Sequence, residues 1–77
     1  MIGLKVNTFS GHKADERPTS FTLGDRTFRV EDIIDRWYGE GHAYFKLTAE
    51  DGNLYVIRHD TRADEWELVM TETMRKS

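Results

Sequence analysis

The chain has 77 residues, a formal charge of −3 and no cysteine. One small domain spanning residues 1–77 follows from the length, and the missing cysteines exclude a disulfide framework or a cysteine-ligated zinc site. Residues 1–30 sum to +2 and residues 31–77 to −5, so neither half supplies the concentrated positive field on which general phosphate-backbone binding draws.

Met1 to Phe9 holds no continuous apolar stretch of the signal-peptide kind. No run approaches the ~18 apolar residues of a membrane span. The expectation is therefore a cytoplasmic protein with no membrane partner. Ile2, Leu4 and Val6 alternate with Gly3, Lys5 and Asn7, which is the period of a strand. Residues 10–18 are polar and without period, and read as a mobile loop ended by Pro18. Phe21 and Leu23 resume the alternation. Gly24-Asp25 then suits a type II′ turn that pairs Phe21 with Phe28 and Thr22 with Thr27.

Residues 30–37 carry two signals. Val30, Ile33, Ile34 and Trp37 have the spacing of a helix face, yet a strand whose phase slips at Glu31-Asp32 through a β-bulge gives the same pattern. The strand is favoured, because the segment is short, β-branched and aromatic and lies between two hairpins, although Asp32 and Asp35 are poor strand formers. The turn at residues 38–43 has two registers. A four-residue loop pairs Tyr38 with Ala43, Trp37 with Tyr44 and Ile34 with Leu47. A three-residue loop with Gly41 left-handed puts Trp37 beside Ala43.

Asp51-Gly52 between two apolar runs is the strongest hairpin signal in the chain. A two-residue type I′ turn there pairs Ala49 with Leu54, Thr48 with Tyr55, Leu47 with Val56 and Tyr44 with His59. Side chains alternate across a strand, so one face then carries Phe45, Leu47, Ala49, Leu54, Val56 and Arg58, an ordinary core face. The other carries Tyr44, Lys46, Thr48, Tyr55, Ile57 and His59. Trp66, Leu68 and Met70 alternate in a last strand, and residues 73–77 form a polar tail expected to fray.

Strands near residues 2–8, 19–23, 26–37, 43–50, 53–59 and 66–71 read as an all-β antiparallel meander. A chain of this size closes such a meander into an SH3-like or similar five- to six-stranded barrel, leaving few open edges. An OB fold lacks a counterpart for its helix.

Little in the chain points to catalysis. His12, His42 and His59 have no metal-ligand spacing. Glu31, Asp32 and Asp35 are close in sequence, but acid–base work needs a cleft and a shifted pKa, and a solvated edge is the plainer reading. Ser10, Ser20 and Ser77 lack a G-x-S-x-G setting, and Gly39 and Gly41 lie in a hairpin turn rather than in a phosphate-binding loop. No catalytic residue, metal site or cofactor is expected, and the chain is read as a non-enzyme.

The feature that invites a functional reading is the mixed aromatic and cationic face. Tyr44, Lys46, Tyr55, Ile57 and His59, extended by Trp37, are the candidate binding residues. Exposed aromatics on a small barrel stack bases or grip peptides. A protein partner is the leading expectation and nucleic acid the alternative, with the chain a monomer or a weak homodimer.

Phe21, the Gly24-Asp25-Arg26 turn, Phe28-Arg29-Val30, Ile33-Ile34-Asp35-Arg36-Trp37, Tyr44-Phe45, Asp51-Gly52 and Tyr55 together resemble a small uncharacterised bacterial family of β-rich domains. The resemblance covers about half the chain and rests on turn and core positions. It implies a β-rich fold. Some similar proteins are encoded beside translesion-polymerase genes, which implies DNA-repair partners.

Overall fold

A computed structural model describes residues 2–9 and 17–73. They form six strands, β1 (Ile2–Phe9), β2 (Arg17–Leu23), β3 (Arg26–Gly39), β4 (His42–Ala49), β5 (Leu54–Asp60) and β6 (Glu65–Glu72). Each pairs antiparallel with the next, and β1 with β6 closes the barrel. There is no helix among the described residues. The chain is thus an all-β meander barrel, consistent with a small SH3-like barrel.

Two strands make closure work by changing partners. β1 pairs with β6 over Ile2–Leu4 and then with β2 over Lys5–Phe9. β3 pairs with β2 over Arg26–Arg29 and then with β4 from Val30 to Gly39. Such turns at a barrel corner need extra twist, which bulges supply. β3 has two: Glu31 lies between the pairs Val30–Ala49 and Asp32–Thr48, and Ile34 between Ile33–Leu47 and Asp35–Lys46. The strand reading of residues 31–37, with its slip at Glu31-Asp32, therefore holds. The second bulge overturns the expected Ile34–Leu47 pair, because Ile33 takes that place.

The β2–β3 turn is as expected. Phe21 pairs with Phe28 and Thr22 with Thr27, and Gly24 has φ +66°. β2 begins earlier than the alternation suggests, so Arg17 and Pro18 are strand residues and Pro18 is buried. Proline is tolerated in a sheet at a bulge or an edge, and the β1–β2 register shifts where Pro18 pairs with Thr8. The rest of the expected mobile loop, residues 10–16, and most of the expected frayed tail, residues 74–77, lie outside the described residues.

The β4–β5 turn differs from the sequence expectation. Gly52 N–H donates to Ala49 C=O at 2.9 Å, and Ala49 N–H donates to Asn53 C=O at 3.1 Å. Gly52 has φ +82°, whereas Asp51 does not have positive φ. This is a three-residue loop with a left-handed glycine, not a two-residue type I′ turn. Leu47 consequently pairs with Tyr55, Phe45 with Ile57 and Ala43 with His59. A slip of one residue moves every side chain of a strand to the opposite face. Tyr55, Ile57 and His59 therefore point inward, while Leu54, Val56 and Arg58 point outward.

The core follows from this register. Ala43, Phe45, Leu47 and Ala49 of β4 meet Tyr55 and Ile57 of β5, with Phe21, Trp66 and Leu68 completing the cluster. Phe21, Leu47 and Ile57 are fully buried. Two aromatic groups sit apart along β5. Tyr55 packs edge-on to Phe21 with centroids 4.9 Å apart, and Phe28 lies 5.6 Å from Phe21. Trp66 packs against Phe45 at 5.7 Å and stacks on His59 at 4.2 Å. Leu54 and Val56 are also buried, although they face outward.

Candidate functional site: the outer surface of β3 and β4

The β3–β4 turn takes the first of its two registers. Gly39 pairs with His42, Tyr38 with Ala43 and Trp37 with Tyr44. Directly opposed residues share a face, so Trp37 and Tyr44 both stand outside. Their rings are stacked, with centroids 5.4 Å apart and planes 3° from parallel. Trp37 remains 41% exposed. His42 tilts toward the other side of Tyr44, its ring 6.3 Å away.

Of the six expected binding residues, the structure brings three together. Trp37, Tyr44 and Lys46 share the outer face. Tyr55 and Ile57 do not, because the three-residue loop sends them into the core, where they are 4% and 0% exposed. His59 is also withdrawn. Its ring is stacked on Trp66 and its Nε2 lies 2.9 Å from Asp64 Oδ1, so it closes one end of the core.

Arg58 takes the place beside Tyr44 that His59 was expected to fill. It is bound to Glu67 through Nη2 and, at 3.2 Å, through Nε. The Glu67 carboxylate, and after it the Tyr44 hydroxyl, hold the Arg58 pKa above its ordinary value. Outside β4 the surface is acidic. The two bulges put Asp32 opposite Thr48 and Asp35 opposite Lys46, so both carboxylates join the outer face. Asp60 lies 3.9 Å from His42 Nε2. The mixed aromatic and cationic face is therefore an aromatic pair in a charge-balanced to acidic setting.

Sequence reasoning missed Ile34 and Tyr38 as surface groups. Ile34 is 50% exposed and Tyr38 70%. Ile34 is a bulge residue, and no local signal distinguishes it from Ile33. Tyr38 stands on the same side of the sheet as buried Ala43, but at the end of the β3–β4 hairpin, where no described residue packs over it. Ile34, Trp37 and Tyr38 are thus three exposed apolar groups along one strand, with Trp37 on its outer face and Tyr38 on the opposite one. Among the described residues, that strand has a free edge. From Val30 to Gly39, β3 pairs with β4 on one side and with no described strand on the other. Where β2 and β3 part, an open groove of about 640 Å³ lies between residues 17–20 and 29–33.

Among the described residues, no group of three or more histidine and carboxylate side chains is arranged to hold a metal ion. No helix among them is long and apolar enough to cross a membrane. His12 lies outside the described residues. Comparison with family models, with curated proteins and with solved structures gave no match to the chain.

Proposed function

We propose that this chain is a small non-enzymatic protein-interaction module whose contact surface is the exposed edge of β3 at Ile34, Trp37 and Tyr38, with Tyr44 and Lys46 beside Trp37 on the outer face. One observation carries the reading: three large apolar side chains, each at least two-fifths exposed, lie within five consecutive residues of one strand. Exposed apolar patches of this kind mark interaction sites, and aromatic residues are enriched at the centres of protein interfaces. A cysteine-free chain suits the reducing cytoplasm, where this reading sets the module. Nucleic acid is the weaker ligand, because Asp32, Asp35 and Asp60 flank the aromatic pair and would repel phosphate.

The test is affinity capture from the native host with the parent and with Trp37→Ala and Tyr38→Ala. A protein retained by the parent, and lost by both variants although each is still folded at the capture temperature, supports the reading. Equal retention by all three overturns it. A captured nucleic acid whose binding falls steeply and linearly with salt in log–log terms would transfer the surface to the alternative class.

A further inference from the structure

We propose that the free edge of β3 binds an extended basic segment of a partner protein by strand addition. The proposal rests on the interaction reading above and names the shape and charge of the partner.

A strand at a sheet edge presents a row of unpaired N–H and C=O groups that a further strand can take up. Glu31 to Gly39 spans nine residues, roughly 30 Å at ~3.3 Å per residue. Edges of this length are ordinarily blunted by lysine, proline, bulges or covering chain; the two bulges of β3 fall at Glu31 and Ile34, and the ladder from Asp35 to Gly39 beyond them is unbroken. This stretch contains neither lysine nor proline, and no described strand covers it. Ile34, Trp37 and Tyr38 line it, and because Trp37 and Tyr38 stand on opposite faces an added strand meets a ring on each of its sides.

Charge decides the occupant. Between Val30 and Gly41 the edge carries Glu31, Asp32, Asp35 and Glu40 against Arg36 alone, and all five are exposed. A second copy of the chain would bring the same acidic strand alongside, and like charges directly opposed destabilise a pair of strands. A segment that alternates lysine or arginine with valine or isoleucine sets its cations beside Asp32, Asp35 and Trp37 on the outer face and its apolar side chains beside Ile33 and Tyr38 on the other. The groove between residues 17–20 and 29–33 lies at one end of the same edge and leaves room for one terminus of that segment.

The probe is the peptide acetyl-Lys-Val-Lys-Val-Arg-Val-Lys-amide, titrated into labelled protein with amide shifts and amide hydrogen exchange as readouts. The expected result is perturbation and slowed exchange confined to residues 30–40. N-methylation of alternate peptide bonds, which removes donors, is expected to weaken binding by about tenfold or more. So is the paired change Asp32→Lys with Asp35→Lys, which is expected to favour a glutamate-substituted peptide instead. If the N-methylated peptide binds as well as the parent, or if the basic peptide leaves residues 30–40 unmoved, strand addition is wrong. The capture experiment with Trp37→Ala then decides separately whether the exposed apolar groups are still a protein contact. Slow exchange in the free protein, monomer or dimer, at those amides of residues 31–39 that point away from β4 would show the edge already occupied and would also overturn the proposal.

Discussion

The Tyr55 hydroxyl donates to Asp51 Oδ2 at 2.5 Å, tying the core of the barrel to the turn that sets its register. The same carboxylate accepts from the N–H and the side-chain amide of Asn53, each at 3.1 Å. Tyr55 is 4% exposed, so its ring is core and its tip reaches the turn. Tyr55→Phe keeps the ring and loses the hydrogen bond, which is expected to cost about 1–2 kcal/mol. Tyr55→Ala is expected to cost about 3–5 kcal/mol. Urea denaturation of both variants measures this. A cost for Tyr55→Ala within about 0.5 kcal/mol of the parent, the range of surface sites, would put the ring back outside.

The same contact predicts an alkaline limb. Burial, and then the Asp51 carboxylate, push the Tyr55 pKa above its ordinary value. The folded state therefore holds the phenolic proton more tightly than the unfolded chain does. That stabilisation is complete below about pH 10, the unfolded value, and is lost as pH rises through the folded value. Melting temperature followed from pH 8 upward should fall more steeply in the parent than in Tyr55→Phe. Parallel curves would mean that the phenol is not held in the fold.

The turn itself gives a sharper comparison. In a type I′ turn both central residues need positive φ, and Asp51→Gly would relieve strain. Here Asp51 does not have positive φ and Gly52 does, at +82°. Asp51→Gly is thus expected to destabilise by about 1–2 kcal/mol, since it leaves the Tyr55 hydroxyl and the Asn53 groups without their acceptor. Gly52→Val is expected to cost at least about 1 kcal/mol, because a β-branched residue is strained at that φ. A more stable Asp51→Gly protein would restore the two-residue turn.

These residues show where the sequence was legible. Gly24-Asp25 admits one tight turn, and cross-strand Phe21–Phe28 and Thr22–Thr27 pairs agree with it, so that register could be read locally. Alternation in β1 and β4 likewise reports one inward face, but in β6 it holds only for Trp66 and Leu68: a register shift at Val69 pairs Met70 with outward-facing Val56 and leaves it 46% exposed. Asp51-Gly52 suits two loops equally well. Here Asp51 is held by Asn53 and by the Tyr55 hydroxyl four residues along, a contact no dipeptide signal contains. The error then spread along all of β5, because a one-residue slip exchanges the faces. Half of the expected binding set, Tyr55, Ile57 and His59, was lost to it. Trp37, Tyr44 and Lys46 stand outside because β3 and β4 take, of the two registers the sequence leaves open, the one that pairs Trp37 with Tyr44.

Acid should weaken the opposite end of the barrel. Asp60 accepts from the N–H groups of Arg62 and Ala63 at 3.0 and 3.1 Å. The Ala63 bond, followed by that of Arg62, holds its carboxyl below the usual carboxylate pKa. Its contribution is complete above the unfolded value, near pH 4, and is lost as pH falls through the lower folded value. Asp60→Ala should therefore melt lower than the parent at pH 7 and converge on it toward pH 2. A constant difference across that range would show that the carboxylate charge is not what stabilises the turn.

The adjacent residues Ile33 and Ile34 provide the most direct test of the β3 edge. Ile33 packs against the core opposite Leu47, whereas Ile34 occupies the bulge and is 50% exposed. Identical substitutions should therefore have unequal effects. Ile33→Ala is expected to cost about 2 kcal/mol, at the lower end of the range for core truncations because the site is only half-buried. Ile34→Ala is expected to change stability by no more than about 0.5 kcal/mol. The stacked pair beside them is intermediate: Trp37→Ala and Tyr44→Ala each forfeit about 0.5–1.5 kcal/mol of ring contact and leave the barrel folded. Chemical denaturation of the four variants ranks them. If Ile34→Ala proves as costly as Ile33→Ala, the second bulge is absent, Ile34 is core, and the exposed apolar set on the free edge of β3 loses one of its three members.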